Sequence, residues 1–112
     1  MEIEVTHREQ VTIVAIVGSV DGLTAGELSQ SFREQVRGGY VRIVGDWSGV
    51  EYTSSAGLRA LLETVKEARQ RGGDLRLAAV QPDVLRVLEL AGFTGILKLF
   101  PDIEAAVGSF RS

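Results

Sequence analysis

Short runs of β-branched and aliphatic residues alternate with segments of helical period along the whole sequence. The run at 11–17 is nearly continuous Val, Ile and Ala, which is typical of a strand covered on both faces. Further apolar runs stand at 40–44, 75–80 and 96–100. Because strands that alternate with helices need crossover connections, this order predicts an α/β fold with a mixed or parallel sheet.

The N-terminal residues predict a β-hairpin. Residues 2–5 alternate polar and apolar side chains, as a half-buried strand does, and the run at 11–17 follows after a short polar stretch. We expect the hairpin turn around residues 7–10. The second strand should break at residues 18–22, where glycine, serine and aspartate are typical turn residues.

A first helix follows this break. Its predicted apolar stripe consists of Leu23, Ala25, Leu28, Phe32 and Val36. Thr24, with Glu27 three residues later, has the pattern of a capping box. Gly38 and Gly39 suit the end of the helix, since glycine tolerates the left-handed conformation found there.

Three more helices are predicted beyond the second strand run. The longest carries an apolar stripe of Leu58, Leu61, Leu62, Val65 and Ala68, and should end at Gly72-Gly73. Another begins at Pro82, which a first helical turn accepts, and ends at Gly92. The last covers residues 102–110. The length of 112 residues suits one domain, so we expect a single domain over 1–112 with four to five strands and helices packed mainly on one face.

Charge and composition argue against several kinds of function. The net charge is −3 and the lysines and arginines are dispersed, whereas phosphate backbones are bound by concentrated basic patches. There is no cysteine, which excludes disulfides and thiolate sites. No apolar run approaches the length of a bilayer span and none resembles a signal peptide. We expect a cytoplasmic protein that neither inserts into a membrane nor binds nucleic acid.

Catalysis is the weaker expectation for this sequence. The single histidine, His7, falls in the predicted hairpin turn, and Ser55 lacks a Gly-x-Ser-x-Gly elbow. The glycines form neither a phosphate-binding loop nor a dinucleotide fingerprint, and no His, Asp or Glu spacing suggests a metal site. We expect no cofactor and no metal. A small hydrolase using Ser55 is the least favoured class, because it lacks a base.

Three consecutive hydroxyl residues, Thr53, Ser54 and Ser55, stand where a loop becomes a helix. One of them is enough to cap the helix by accepting a bond from a free backbone N–H group. The other two should be small and exposed, and Ala56 and Gly57 would let a partner's backbone approach. A phosphate here would carry a charge of about −1.5 to −2, which a helix N-terminus tolerates. From the chemistry alone, a plain cap and a modification site are equally favoured.

Four residues near this segment have two interpretations each. Asp21 suits the turn before the first helix and could also contact a partner. Trp47 and Tyr52 flank the segment, and a buried core position is favoured over a partner anchor. Arg59 lies one turn into the helix, where we expect it to be solvated, although it could also form a charge-assisted bond to a phosphate.

The residues from Asp46 to Leu62 resemble the core signature of STAS domains, the anti-sigma factor antagonist family. In that family an Asp-containing stretch after a strand leads to a D-S-[ST]-G-L-like turn that opens a long helix. The Gly-Ser-Val-Asp at 18–21 is similar to the family's G-x-[LI]-D segment. Residues 72–77 and 84–93 are similar to its later motifs, so that the resemblance covers about residues 3–110.

The resemblance implies a protein-binding switch. Free-standing members bind an anti-sigma factor that is also a serine kinase, which phosphorylates the serine after the signature Asp and thereby releases the antagonist. A PP2C-type phosphatase restores it. By position the acceptor is Ser55, with Ser54 as the alternative, and Ser54 stands where the family usually has the Asp. The implied partner-binding residues are Ser19, Asp21, Thr53, Ser54, Ser55, Ala56, Gly57 and Arg59.

A second interpretation keeps the domain but not the switch. Other STAS members are constitutive adaptors, such as accessory subunits of lipid transport systems or parts of stressosome-type assemblies. In such an adaptor Ser55 would only cap the helix, and the domain would dock permanently on another protein without being regulated by phosphorylation.

Overall fold

A computed structural model describes residues 1–111 as a five-stranded sheet with helices on both faces. The strands lie in the order β1-β2-β3-β4-β5; β1 is antiparallel to β2, and the other neighbours pair in parallel. The expected α/β fold with a mixed sheet is therefore confirmed. In chain order the elements are β1 (Glu2–Arg8), β2 (Val11–Val20), α1 (Ala25–Arg37), β3 (Arg42–Thr53), α2 (Ser55–Gln70), β4 (Asp74–Ala78), α3 (Pro82–Leu90), a 3₁₀ turn (Phe93–Gly95), β5 (Lys98–Phe100) and α4 (Ile103–Gly108).

The N-terminal hairpin turns at the predicted place but with a shorter loop. Arg8 pairs with Val11, so that the loop consists only of Glu9 and Gln10. Glu9 has a φ of 51°, a positive value of the kind that two-residue hairpins require. His7 therefore lies in β1 and not in the turn, with its Nδ1 atom 3.0 Å from the Thr12 hydroxyl.

The predicted break of β2 at residues 18–22 is confirmed only for Asp21 and Gly22. The strand continues through Gly18 and Ser19 to Val20. Its register against β3 shifts twice, once just before Val17 and once just after Gly18. Gly18 has a φ of 116°, which bends the strand at an irregularity without ending it. The turn to α1 begins only at Asp21.

The predicted end of β3 at Gly45-Asp46 is also wrong, because the strand runs for 12 residues from Arg42 to Thr53. Gly45 is buried in the middle of the strand. A Cβ atom there would lie 2.9 Å from Leu77 Cδ2 and 3.4 Å from the Trp47 ring. The glycine thus makes room for side chains of β3 and β4, and it marks a close approach and not a turn.

Most of the helical surface packs on one side of the sheet, as expected. Side chains of α1, α2 and α3 form the main core with the buried residues of that face, among them Phe32, Leu61 and Leu88. The short α4 lies on the other face, where Ala106 and Val107 pack against Val44 and Ala78 of the sheet. Within residues 1–111, no helix is both long enough and apolar enough to cross a membrane.

The helix ends agree with the sequence, whereas the last strand is shorter than predicted. Glycines follow α1, α2 and α3 closely, and Gly39, Gly72 and Gly92 have positive φ angles. The strand predicted at residues 96–100 is limited to Lys98–Phe100, because Ile96 still forms the end of the 3₁₀ turn.

Candidate functional site

Two segments that are separated in sequence meet at the carboxyl ends of β2 and β3. We call residues 19–24 the aspartate loop and residues 53–59 the serine turn. Val20 pairs with Thr53, and the Ser54 N–H donates to the Val20 carbonyl oxygen at 2.8 Å. Because β2 and β3 are parallel neighbours, the segments that follow them lie side by side. The sequence-predicted residues on both segments are thereby brought together.

Ser54, and not Ser55, caps α2. The Ser54 hydroxyl oxygen accepts a hydrogen bond from the Gly57 N–H at 3.4 Å, and its backbone is extended, as N-cap residues are. Thr53 is buried at 3% exposure, with its hydroxyl donating to the Ser54 carbonyl oxygen at 3.3 Å. The expectation of two spare exposed hydroxyls is therefore wrong. Of the three hydroxyl residues only Ser55, the first residue of α2, is exposed.

The hydrogen bond from the Gly57 N–H to Ser54 explains how the turn tolerates a serine at this position. The STAS family, which the sequence resembles, usually has an aspartate there. Serine and aspartate are nearly equal as N-cap residues, since either side chain offers an oxygen to the free N–H groups of the first turn. Ser54 therefore keeps the cap while it removes a carboxylate from the position next to Ser55.

Asp21 organises the aspartate loop. One of its carboxylate oxygens, Oδ1, accepts bonds from the backbone N–H groups of Leu23 at 2.9 Å and Thr24 at 3.1 Å. The Thr24 hydroxyl lies 3.1 Å from the same oxygen and 2.9 Å from the Ser19 carbonyl oxygen. The bond from Leu23, followed by that from the Thr24 hydroxyl, holds the pKa of Asp21 below its ordinary value of 3.8.

The predicted capping box at Thr24 and Glu27 is wrong. Thr24 is the N-cap residue of α1, but its side chain accepts no bond from the helix. It accepts instead from the Asp21 N–H at 2.9 Å, within the loop. Asp21 supplies the side-chain oxygen that precedes the helix, which confirms the turn role that the sequence suggested for it.

Leu23 is the residue of this region that sequence reasoning missed. Its residue surface is 95% exposed, although the helical spacing assigned it to the inward stripe of α1. The assignment fails because α1 begins at Ala25, so the helical period does not extend to Leu23. The sequence signal that could have shown this is the Asp-Gly pair before it, which favours a loop.

Gly57 serves the interior and not a partner. It is buried, and a Cβ atom at this position would collide with the Thr53 hydroxyl and lie 2.8 Å from Val20 Cγ1. The expectation that Gly57 lets a partner's backbone approach is therefore wrong, because the neighbouring backbone that approaches is that of β2. Ala56 beside it is half-buried.

The aromatic and basic residues near the serine turn have separate environments. Trp47 is fully buried in the main core, as favoured, and its Nε1 finds no hydrogen-bond partner among the described residues. Tyr52 is 54% exposed, so the favoured core position is wrong for this residue. Arg59 is exposed one turn into α2, as expected.

The only histidine lies far from Ser55. His7 neighbours Thr12 near the start of β2, whereas Ser55 lies two residues after Thr53, the last residue of β3, which pairs with Val20 at the end of β2. Eight residues of β2 separate Thr12 from Val20, or roughly 25 Å at about 3.3 Å per residue. A general base from His7 therefore cannot reach the Ser55 hydroxyl.

Comparison with known proteins identifies the class to which this fold and site belong. The sequence matches the STAS domain family over residues 2–106. The chain is 33% identical, over all of its own length and 97% of the other, to the Bordetella bronchiseptica protein named "Putative anti-sigma factor antagonist BtrV". The chain therefore belongs to the STAS domain family.

Solved structures support the same assignment. A crystal structure of an anti-sigma factor antagonist from Mycobacterium paratuberculosis has a TM-score of 0.90 and 27% identity, with 99% of this chain and 94% of that one covered. The anti-sigma factor antagonist SpoIIAA in its unphosphorylated form has a TM-score of 0.75 at 14% identity, over 99% of both chains. The likeness to SpoIIAA concerns the fold alone.

Proposed function

We propose that this chain is an anti-sigma factor antagonist, which sequesters an anti-sigma factor with serine kinase activity and is released when Ser55 is phosphorylated. The observation that carries the proposal is the exposed Ser55 at the start of α2, beside the aspartate loop, in a STAS-family chain. Its similarity over its whole length to a protein named as an anti-sigma factor antagonist points to the same role. A PP2C-type phosphatase would reverse the modification.

The surroundings of Ser55 suit a phosphate without loss of the fold. The first residue of a helix is near unpaired N–H groups and the positive end of the helix dipole, both of which favour an anion. Arg59 lies four residues further along α2 on the same helical face and is exposed, so its guanidinium can donate to phosphate oxygens. The neutral Ser54 adds no repulsion from the neighbouring position.

The physical basis of release is added charge on the surface that docks. The proposed docking surface consists of the exposed parts of the aspartate loop and the serine turn, including Ser19, Asp21, Ser55 and Arg59. A phosphate on Ser55 would add a charge of about −1.5 to −2 at the centre of this surface. Before modification, complementary charges attract the partner. After modification, repulsion between the phosphate and the partner, or the free-energy cost of removing water from the phosphate, would oppose this attraction.

Leu23 supplies the apolar contact of this surface. Because the residue is 95% exposed, its side chain gains nearly the full hydrophobic free energy of burial when a partner covers it, about 1.5–3 kcal/mol for leucine. The Asp21 carboxylate holds the Leu23 backbone N–H at 2.9 Å, so that the loop is ordered before binding. Such preorganisation lowers the entropy that binding would otherwise cost.

The test is phosphorylation by, and binding to, a candidate anti-sigma factor with serine kinase activity from the same organism. Mass spectrometry after incubation with that kinase and ATP should map one phosphate to Ser55, and Ser55→Ala should abolish it. Titration calorimetry should show weaker binding of Ser55→Asp. A phosphate on another residue, or unchanged affinity of Ser55→Asp, would count against the proposal and favour the constitutive adaptor.

A pair of leucine variants tests the docking surface itself. Leu23→Asp should weaken the binding of the anti-sigma factor at least tenfold. The thermal stability of this variant should stay close to that of the natural chain. Leu90→Asp is the matched control, because Leu90 is 81% exposed at the end of α3, outside both segments. Equal affinities of the two variants would argue against Leu23 as a contact.

We further infer that the chain is not an enzyme. The support is the roughly 25 Å of strand between His7 and Ser55, which leaves that serine without a histidine base. Incubation of the purified chain with activated esters should give no turnover above that of Ser55→Ala.

A further inference from the structure

The outer edge of β1 is the longest open edge of the sheet. β1 has seven residues and, within residues 1–111, pairs only with β2, whereas β5 at the opposite edge has three. Glu2–Arg8 contains no proline or lysine, but Glu2, Glu4 and Arg8 are charged, so this edge accepts only a strand whose charges are complementary. Every second residue of the strand is exposed, and the last three are all exposed. Such an edge offers unpaired backbone groups to another strand.

The two-residue loop determines which backbone groups of β1 point outward. The pair that flanks such a loop, Arg8 and Val11, is the hydrogen-bonded kind, and the two kinds of pair alternate along an antiparallel ladder. The backbone groups of Arg8, and of every second residue before it, are therefore directed to β2. Those of Ile3, Val5 and His7 are directed away from the sheet.

These three outward residues are placed symmetrically about Val5. If a second copy of β1 pairs antiparallel with the first around Val5, each Val5 exchanges both backbone bonds with the Val5 of the other copy. Ile3 then pairs with His7 of the second copy, also through outward groups. The register uses the whole strand and leaves the bonds to β2 intact.

Charge complementarity favours the same register. Glu2 lies opposite Arg8 of the second copy, and Arg8 lies opposite Glu2 of the second copy, on the same face of the combined sheet. A shift that centres on Glu4 would place two carboxylates opposite each other, which is destabilising. Arg8 already bonds to Glu104 of its own chain at 2.6 Å, but 43% of its side chain is exposed and its fork has further donors.

We propose that β1 is a self-association surface, at which two copies of this chain join edge to edge into a continuous sheet with the two-fold axis at Val5. Ile3 and Val5 pack partly against the main core, so on that face the apolar layer would continue across the axis. A single strand makes a small interface, so we expect a weak dimer with a dissociation constant on the order of 100 μM. The inference does not depend on the proposed function.

A charge-swap cycle tests the register. Sedimentation equilibrium should show that Glu2→Arg and Arg8→Glu each weaken the dimer about tenfold, because each places like charges opposite each other twice. The double variant should restore much of the affinity, which a folding defect would not do. Glu89→Arg on α3 carries the same charge change away from the edge and should leave the dimer intact.

A cysteine variant tests the axis directly, because the natural sequence contains no cysteine. Hydrogen-bonded antiparallel partners have Cα atoms about 5.5 Å apart, close enough for a short thiol crosslinker to join two cysteines. Val5→Cys should therefore form a covalent dimer with a short bismaleimide. Val17→Cys, at a position 52% exposed on β2, should crosslink much more slowly.

Three results would overturn the proposal. They are a monomeric chain at millimolar concentration, equal crosslinking of the two cysteine variants, and a double charge swap that dimerises no better than the single variants. Val5→Pro gives a further check, since it removes an outward N–H group and is the kind of proline an edge strand accepts. It should dimerise at least tenfold more weakly than the natural chain, and an unchanged dissociation constant would contradict the pairing.

Discussion

Replacement of Ser54 and Ser55 by alanine, one at a time, should separate the structural serine from the functional one. Ser54→Ala removes the oxygen that accepts the Gly57 N–H bond. Loss of a serine N-cap costs about 0.5–2 kcal/mol, and the bond length of 3.4 Å favours the lower half of that range. Ser55 lies at the first helical position, where alanine should change the free energy of unfolding by less than about 0.5 kcal/mol.

The expected difference is large enough to measure. Unfolding entropies of about 2.1 cal/mol/K per residue give a chain of 112 residues a shift of about 4 °C in Tm for each kcal/mol. Ser54→Ala should therefore melt about 2 to 4 °C below the natural chain, with Ser55→Ala within about 2 °C of it. Differential scanning calorimetry at neutral pH gives both values, and urea unfolding gives the free energies.

The matched third variant is Ser54→Asp, which should keep the cap. An aspartate at the N-cap adds a favourable interaction with the helix dipole of about 0.3–1 kcal/mol, so this variant should melt at or above the natural chain. The reasoning is refuted if Ser55→Ala is destabilised more than Ser54→Ala, because Ser55 would then be the structural serine of the turn.

Asp21 and Gly57 allow one test in each segment of the site. Because the pKa of Asp21 in the folded chain is below 3.8, its ionised form stabilises the fold above that pH, and the contribution is lost as the pH falls through the folded pKa. The Tm of Asp21→Asn should therefore fall less than that of the natural chain between about pH 6 and pH 2.5, and parallel curves would contradict the role of this carboxylate. Gly57→Ala should lower the free energy of unfolding in urea by about 1–2 kcal/mol, since overpacking costs about 1–3 kcal/mol and exceeds the gain in helix propensity. Gly26→Ala in α1 is its control, because a Cβ there meets nothing within 4 Å, and it should be neutral or stabilising. A Gly57→Ala chain as stable as the Gly26→Ala chain would show that β2 moves aside without cost.

Much of the fold could be predicted because its signals are local. The alternation of apolar runs and helical stripes determined the α/β class, and the serines before Leu58 marked the start of α2. The ends of α1, α2 and α3 follow from glycines within a few residues of each. Propensity, capping and period depend on neighbours along the chain, which the sequence contains in full.

The candidate site was only partly predictable. Its two segments could be named from motifs, and the structure brings them together through the Val20–Thr53 pair. The role of each hydroxyl depends on which backbone group lies near it in space. Ser54 is the cap because its oxygen, and not that of Ser55, reaches the Gly57 N–H, and neighbouring serines have the same local propensity.

Other features were decided by tertiary contacts alone. Gly18 and Gly45 have the local signature of turns, but parallel pairing with a neighbouring strand continues β2 and β3 past them. The position of α4 on the second face depends on the apolar surface that Val44 and Ala78 present there. The same principle applies at Leu23 and Gly57. The sequence determined that these two residues are a leucine and a glycine. Only the tertiary structure decided that Leu23 is exposed, because it precedes the start of α1, and that Gly57 is buried, because it packs against β2.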